Sequence, residues 1–512
     1  MIDSEGPQNR PLRQGLGAAT GSAVTWRALQ LVGTRVISLG KFLVLARILS
    51  PQDFGLLAIA AVAVELLLSL TDFGMIAALV QRDHVEQRHY DSAWTLNVLR
   101  SLVIAAAIVA TAPALADLFG EPRATHIMQV LALRPILDAG ASIKVAELTK
   151  ALRFRPLAAV RLSAAVVDAT VAIALASKLG VWAVVIAALV SSVVGSIASY
   201  IVAPHRPHLS LETGAARSLF RFGRWMLVAG VLGVAGDAVL RGVISRRLGA
   251  FDLGVYYVAV RIAILPYEAI SEIVVAVGFP VQAILQNDLE RASRVFRSIL
   301  KATLAVLMPI YAIVFVLAGP LVGEFLGARW HDATPVIRVI AVIGIIGTVY
   351  DATTAMLQGL GRPQWVAALA AVQLPIVAGL AWWFTESLGV TGAALARPCA
   401  EVCVQATAVV LSSRLLPRPF AGIVRPLLAF SAVASLGAAV ALAIYGLATN
   451  AIGVVSGALV GVGIAYVVLA FLDRGFALGL RADAIKVFPA LAAWLRLAPV
   501  QGDADASGEM RR

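Results

Sequence analysis

Apolar stretches long enough to cross a bilayer recur along this chain almost without pause, and that pattern limits what it can fold into. A helix needs about 20 apolar residues to span the hydrocarbon core. Stretches of that length fall near 21–46, 54–80, 92–118, 126–149, 157–178 and 180–203, then near 218–245, 253–284, 298–325, 334–357, 364–385 and 389–413, and finally near 424–447 and 452–472. Turn chemistry separates them, as at Ser50-Pro51, Glu121-Pro122, Arg155-Pro156, Arg206-Pro207, Arg362-Pro363 and Arg418-Pro419, where proline biases its neighbour away from helix. The expectation is an all-α polytopic membrane protein of fourteen transmembrane helices. No connection is long enough to fold as a domain of its own. Only 14% of residues are charged, against about 25% in soluble domains, so a soluble enzyme is excluded.

The net charge of +12 would suggest nucleic acid in a soluble chain. Here its placement matters more than its size. With the N-terminus in the cytoplasm and strict alternation, the cytoplasmic connections carry Arg82 and Arg88; Lys150, Arg153 and Arg155; Arg291, Arg294 and Arg297; and Arg414 and Arg418. The opposite side has Arg47, Arg123, Lys178, Arg246, Arg247 and Arg329. That bias is the positive-inside rule, with both termini cytoplasmic, and it removes the case for nucleic acid. The polar start, Met1 to Thr20, is expected to lack a cleavable signal peptide. The stretch Asp473–Leu497 is expected to lie as an amphipathic helix on the cytoplasmic face. Cys399 and Cys403, four apart in an apolar run, read as small core residues. The connectors holding His84, His89, His205 and His208 read as polar loops.

The chain also repeats itself. A shift of 199 carries Arg47-Ile-Leu-Ser-Pro-Gln-Asp53-Phe54-Gly55 onto Arg246-Arg-Leu-Gly-Ala-Phe-Asp252-Leu253-Gly254, and Trp26 onto Trp225. A shift of 207 carries Pro113–Gly120 onto Pro320–Gly327 and Arg155-Pro156 onto Arg362-Pro363. A shift of 209 carries Leu179-Gly180-Val181 onto Leu388-Gly389-Val390. A unit of about six helices makes the two copies parallel, a plan common among transporters. The expected organisation is a cytoplasmic tail (1–20), a six-helix lobe (21–203), a cytoplasmic linker (204–217), a second six-helix lobe (218–413), two further spans (414–472) and a cytoplasmic segment and tail (473–512).

The stretch Leu45–Leu56, with Thr71-Asp-Phe-Gly74 and Leu79-Val-Gln-Arg82 after it, resembles the polysaccharide transporter branch of the MOP superfamily, the Wzx-type oligosaccharide flippases and exopolysaccharide exporters. The resemblance covers roughly residues 15–415. It implies two six-helix lobes around a central cavity and translocation of an undecaprenyl-diphosphate-linked oligosaccharide across a bacterial inner membrane. The superfamily further suggests coupling to protons or sodium ions.

A charge at the centre of a membrane helix costs at least about 2.5–3.5 kcal/mol on insertion scales, so it needs a partner or a wet cavity. The spans hold many charges. Arginines at 27, 35, 100, 134, 161, 261 and 338 are the substrate-binding candidates, because a guanidinium pairs with phosphate through two parallel hydrogen bonds. Glu65, Asp72, Asp138, Asp237, Glu268 and Glu272 are the candidates for ion or proton coupling. The competing reading makes the opposite-sign neighbours, such as Arg134 with Asp138, Asp237 with Arg241 and Arg397 with Glu401, neutralised structural bridges. Pro266 is expected to kink the eighth span. No phosphate-binding Gly-Lys-Ser/Thr loop, nucleophile elbow or His-Glu-x-x-His pattern occurs in the sequence, so neither catalysis, a metal nor a cofactor is expected.

These features favour a flippase over two rivals. A multidrug-extrusion-type antiporter would have twelve spans and a smaller, more acidic pocket. A membrane polysaccharide polymerase or glycosyltransferase would carry a long extracytoplasmic loop with catalytic clusters. Beyond the lipid-linked substrate and membrane lipids, candidate partners are a polysaccharide polymerase and export machinery, and the protein is expected to be monomeric.

Overall fold

A computed structural model of the chain describes residues 9–69, 87–151, 153–208 and 216–476. Among the described residues there are helices and turns and no strand. A backbone inside hydrocarbon has no water to bond and must satisfy itself, which a helix does. Nine described helices are long and apolar enough to cross a membrane, and ten if one bent pair counts as a single span. The protein is a multi-pass membrane protein. It divides into two compact units, residues 1–258 and 259–512.

The first unit contains α1 (Asn9–Ile48), α2 (Pro51–Ser69), α3 (Gln87–Phe119), α4 (Ala124–Leu131), α5 (Leu133–Ala139), α6 (Val145–Lys150), α7 (Phe154–Leu179), α8 (Val181–Val202), α9 (Ala216–Leu248) and the start of α10 (Ala250–Ala263). Helices α1 and α7 pack side by side. Three contacts at a nearly constant residue offset show that they run parallel. The Arg155 guanidinium lies 5.6 Å from the centre of the Trp26 ring, Leu162 fills the space over Gly33, and Lys41 pairs with Asp168. Parallel packing is what alternation requires of two spans separated by an odd number of others.

The stretch 126–149, expected as one span, is instead broken into α4, α5 and α6. Pro135 has no N–H to give the preceding turn, and its ring crowds the carbonyl four residues back. The broken backbone is satisfied from α8. Ser196 Oγ donates to the Leu137 carbonyl at 2.6 Å and the Tyr200 hydroxyl to the Gly140 carbonyl at 3.0 Å. Ser142 N–H donates to Ser199 Oγ at 2.8 Å, and Ser142 Oγ to the Ala203 carbonyl at 2.6 Å. Non-helical backbone at membrane depth survives only with such internal partners. Tyr200→Phe should therefore lower the unfolding free energy by about 1 kcal/mol, the net value of one hydrogen bond. Thermal melting of the purified protein checks this, and an unshifted transition would mean that Gly140 is satisfied by another route.

The repeated motif has a definite structural job. At the first copy, Asp53 N–H donates to Ser50 Oγ at 3.2 Å, while Asp53 Oδ2 accepts from Ser50 N–H at 3.0 Å and Ser50 Oγ at 2.7 Å. This reciprocal capping box starts α2. Four residues beyond the first residue of each helix, Pro51 and Ala250, stands a glycine. A Cβ on Gly55 would collide with the carbonyl of Ala250, and one on Gly254 with the carbonyl of Pro51. Under the shift of 199, Pro51 corresponds to Ala250 and Gly55 to Gly254, so the contact is reciprocal. The two copies cross backbone to backbone near their N-termini, as small residues permit in membranes. Nearby, α9 caps α3 in trans: Ser245 Oγ donates to the Phe119 carbonyl at 2.7 Å and Arg246 Nη1 to the Asp117 carbonyl at 3.1 Å.

The second unit continues through α11 (Leu265–Ile284), α12 (Leu289–Leu321), α13 (Ala333–Gly359), α14 (Pro363–Leu415), α15 (Val424–Leu447) and α16 (Ala451–Phe476). Helices α10 and α11 meet at a 49° bend, beside Pro266 as expected. The Tyr267 N–H beyond the bend donates to the Tyr311 hydroxyl of α12 at 3.1 Å. Helix α14 is two helices joined at Gly389, whose φ 58° and ψ −140° nearly match the φ 55° and ψ −131° of Gly180, its partner in the repeat. Helices α15 and α16 approach closely, with the Gly437 carbonyl 2.6 Å from where a Gly461 Cβ would stand. Residues 477–512, and with them most of the segment expected to be amphipathic, lie outside the described residues.

Candidate functional site

The charges of the first unit include ion pairs between helices and three exposed arginines on α1 and α7. Lys41 on α1 holds Asp168 on α7. Arg241 on α9 reaches Glu65 on α2 at 3.1 Å. Sequence spacing had offered Arg241 only its own-helix neighbour Asp237. Glu65, a coupling candidate, is therefore engaged by an arginine that lies 176 positions away. Arg134 and Asp138 do pair on α5, at 3.7 Å with both side chains more than half exposed, a geometry worth little in energy. Arg100 is half-buried on α3, and Asp237 is half-buried on α9.

Arg27, Arg35 and Arg161 are all exposed, and Arg27 Nη1 bonds Gln30 Oε1 at 3.2 Å. At about 100° per residue, Arg27 and Arg35 stand about 80° apart, with Val36 about 180° from Arg27. Val32 and Val36 are 61% and 63% exposed, so α1 shows cations on one flank and hydrocarbon on the other. The parallel register with α7 sets Arg161 between Arg27 and Arg35 in height, all within about 12 Å of rise. Exposed guanidiniums on adjacent helices suit oxyanions, each through a pair of parallel hydrogen bonds.

In the second unit, Arg261 is exposed on α10, and the acidic groups gather on α11, α13 and α14. Ser271 Oγ donates to Asp351. Arg397 Nε donates to Glu401 Oε1 at 3.2 Å, the i,i+4 bridge expected from the sequence. Glu401 is 8% exposed, and Glu268 is half-buried on α11. Asp351 was not among the coupling candidates. The signal for it was the hydroxyl pair Tyr267 and Ser271, one turn apart on a facing helix and able to serve a buried carboxylate. Asp72 lies outside the described residues, as does the side chain of Glu272. Among the described residues no cluster of three histidine, cysteine or acidic side chains could hold a metal.

Arg338 is exposed and lines an apolar crevice with Phe315 and Val342, between α12 and the second half of α14. Two readings change. Cys399 lines the same crevice and Cys403 is exposed; both lie on an open face of α14 and not in a core. The connector 204–208 is no plain polar loop. His205 is buried, with Nε2 3.0 Å from Asp91 Oδ1. Asp91 also accepts from Gln87 Nε2 at 3.0 Å and from His208 N–H at 3.3 Å, which ties the connector to the start of α3.

Comparison with known proteins agrees with this architecture. Residues 44–335, more than half of the chain, match the family model described as polysaccharide biosynthesis protein. The succinoglycan biosynthesis transport protein ExoT of Rhizobium meliloti is 28% identical over 66% of this chain and 69% of its own length. The lipopolysaccharide biosynthesis protein WzxC of Escherichia coli is 24% identical over 67% and 70%. Among solved structures, the lipid II flippase MurJ superimposes with a TM-score of 0.66 at 16% identity, covering 89% of this chain and all of that one. A multidrug-resistance MATE transporter of the MOP superfamily gives 0.60 at 16% identity, over 77% and 98%. The two superpositions establish a shared fold, and the match over residues 44–335 makes this chain a member of the polysaccharide biosynthesis protein family.

Proposed function

We propose that this protein is a flippase that translocates an undecaprenyl-diphosphate-linked oligosaccharide, a precursor of lipopolysaccharide, capsule or exopolysaccharide, across the bacterial inner membrane by alternating access. The observation that carries the reading is the cationic character of α1 and α7, where Arg27, Arg35 and Arg161 are exposed within about 12 Å of rise on adjacent membrane-spanning helices. Arginine is the side chain best matched to a diphosphate, and its bidentate bonds add geometry to charge. The relatives named for succinoglycan transport and lipopolysaccharide biosynthesis support a glycan-bearing cargo, and transport requires no bond-making chemistry of the protein.

The full topology belongs to the same proposal: fourteen transmembrane helices, six in each of two lobes (21–203 and 218–413) and two more in 414–472, with both termini cytoplasmic. The matching backbone of Gly180 and Gly389 supports the two-fold repeat. Coupling to protons or sodium would fall to acidic residues in the spans, and Asp351, which accepts from Ser271, joins Glu268 as a candidate for it. A polymerase and export machinery would act on the delivered glycan.

The decisive experiment is reconstitution in liposomes and measurement of polyprenyl-diphosphate oligosaccharide crossing the bilayer. The expected result is protein-dependent translocation. Absence of movement with brisk efflux of small organic cations would instead identify a multidrug-type antiporter on the same fold.

A further inference from the structure

We propose that the crevice around Arg338 binds an anionic phospholipid of the bilayer, with the phosphate on the guanidinium and an acyl chain laid along the apolar wall. The crevice lies within the second unit, between α12, α13 and α14, and has a volume of about 420 Å³. Arg338 and Val342 face it from one side of α13, and Leu395, Cys399 and Val402 from one face of α14, with Phe315 of α12 closing the end. The spacings i,i+4 and i,i+4,i+7 are those of single helix faces. Phe315, Val342 and Val402 are 43%, 46% and 53% exposed. On membrane-spanning helices, such an open hydrocarbon face meets lipid chains.

Arginine is costly in that setting and marks a site unless a partner neutralises it. Some arginines in the spans have one, as Arg241 has Glu65 and Arg397 has Glu401. Among the described residues, Arg338 has the Phe315 carbonyl, 3.3 Å from its Nε, and the Phe315 ring, 5.8 Å from its guanidinium carbon. Neither is an anion. The carbonyl takes only the Nε hydrogen, and the fork of the two terminal nitrogens matches two oxygens of one phosphate.

Depth fits the same ligand. Arg338 lies five residues beyond Ala333, the first residue of α13, or about 8 Å of rise. Leu395 lies six residues beyond the Gly389 break in α14, or about 9 Å of rise. The charged mouth is therefore near the helix starts, where headgroups sit, and Val342 and Val402 lie deeper, where chains run. Beyond Arg338 and one thiol, the wall offers hydrocarbon. A sugar-bearing diphosphate would find no partners for its hydroxyls, and that favours a plain phospholipid over the transported carrier.

Photolabelling tests this directly. The full-length protein, in nanodiscs of phosphatidylcholine, is exposed to a phosphatidylglycerol analogue with a diazirine on its acyl chain, and labelled peptides are identified by mass spectrometry. Labelling is expected on peptides carrying Val342 and Val402, falling about tenfold in Arg338→Gln, the loss expected for a charge-assisted hydrogen bond. Unlabelled phosphatidylglycerol should displace the probe. In Val342→Trp, which keeps the charge but fills the crevice, labelling of the Val402 peptide should fall by a similar factor; this variant carries the test if Arg338→Gln fails to fold. Wild-type labelling in either variant would overturn the proposal. Equal displacement by added phosphatidylcholine would reduce the crevice to ordinary lipid solvation, and stronger displacement by undecaprenyl phosphate would give it to the carrier. Either result also overturns it.

Discussion

Leucine at Gly254 should destabilise the protein by at least 1–3 kcal/mol, about the cost of overpacking a well-filled contact, and should visibly lower its melting temperature in detergent. The reason is what the new side chain would meet. A Cβ at this position falls on the carbonyl of Pro51 and within 3.0 Å of the Gly55 nitrogen. These are backbone atoms at the start of α2, held by the Ser50–Asp53 capping box, and no rotamer can move them aside. The crossing must open, and the reciprocal contact of Gly55 with Ala250 opens with it. Gly55→Leu should therefore behave alike, and the double variant should cost less than the sum, because one crossing cannot be lost twice. Gly463→Ala is the control: a Cβ there meets nothing within 4 Å, and replacing glycine in a helix interior is neutral or stabilising by up to about 1 kcal/mol. Wild-type melting of Gly254→Leu would refute this account of the crossing. Wild-type melting together with lost transport would recast it as a contact made in one transport state only.

How much of this was legible in the sequence depends on the reach of the interaction. Span ends set by neighbouring residues were readable: Val424–Leu447 begins and ends where hydropathy and turn residues put it, and the break at Gly389 followed from its match to Gly180. The reciprocal glycines were visible as a repeat, and their geometry follows from that repeat plus the room only glycine leaves. The broken span was not legible, because hydropathy is blind to where backbone hydrogen bonds go. Its partners Ser196, Ser199 and Tyr200 lie 57–60 positions downstream. Among the ion pairs, helical spacing gave Arg134 with Asp138 and Arg397 with Glu401, but it could not show that the fold also brings Glu65 to Arg241. Arginines were legible as charges out of place, and only the fold set Arg338 against Phe315 and Val342.

Arg35→Ala and Arg261→Ala should each reduce translocation of a polyprenyl-diphosphate oligosaccharide by ten- to roughly a hundredfold while the protein is still made and inserted. A hydrogen bond to a charged group is worth about 1.5–3 kcal/mol, and each 1.4 kcal/mol is about tenfold in an equilibrium. Both side chains are exposed, so their removal leaves no cavity and melting should stay near wild type. That separation matters, because an arginine serving only as a structural counter-charge would lower stability and transport together. Lysine offers a stricter test. It keeps the charge but has no planar fork, so Arg35→Lys should recover part of the lost rate if simple attraction to phosphate suffices, and little if two-point recognition is required. The carrier should matter too: a monophosphate-linked oligosaccharide presents fewer oxygens to these arginines and should be moved less well by wild type, with a smaller penalty in Arg35→Ala. Wild-type rates in both alanine variants would remove Arg35 and Arg261 from the mechanism.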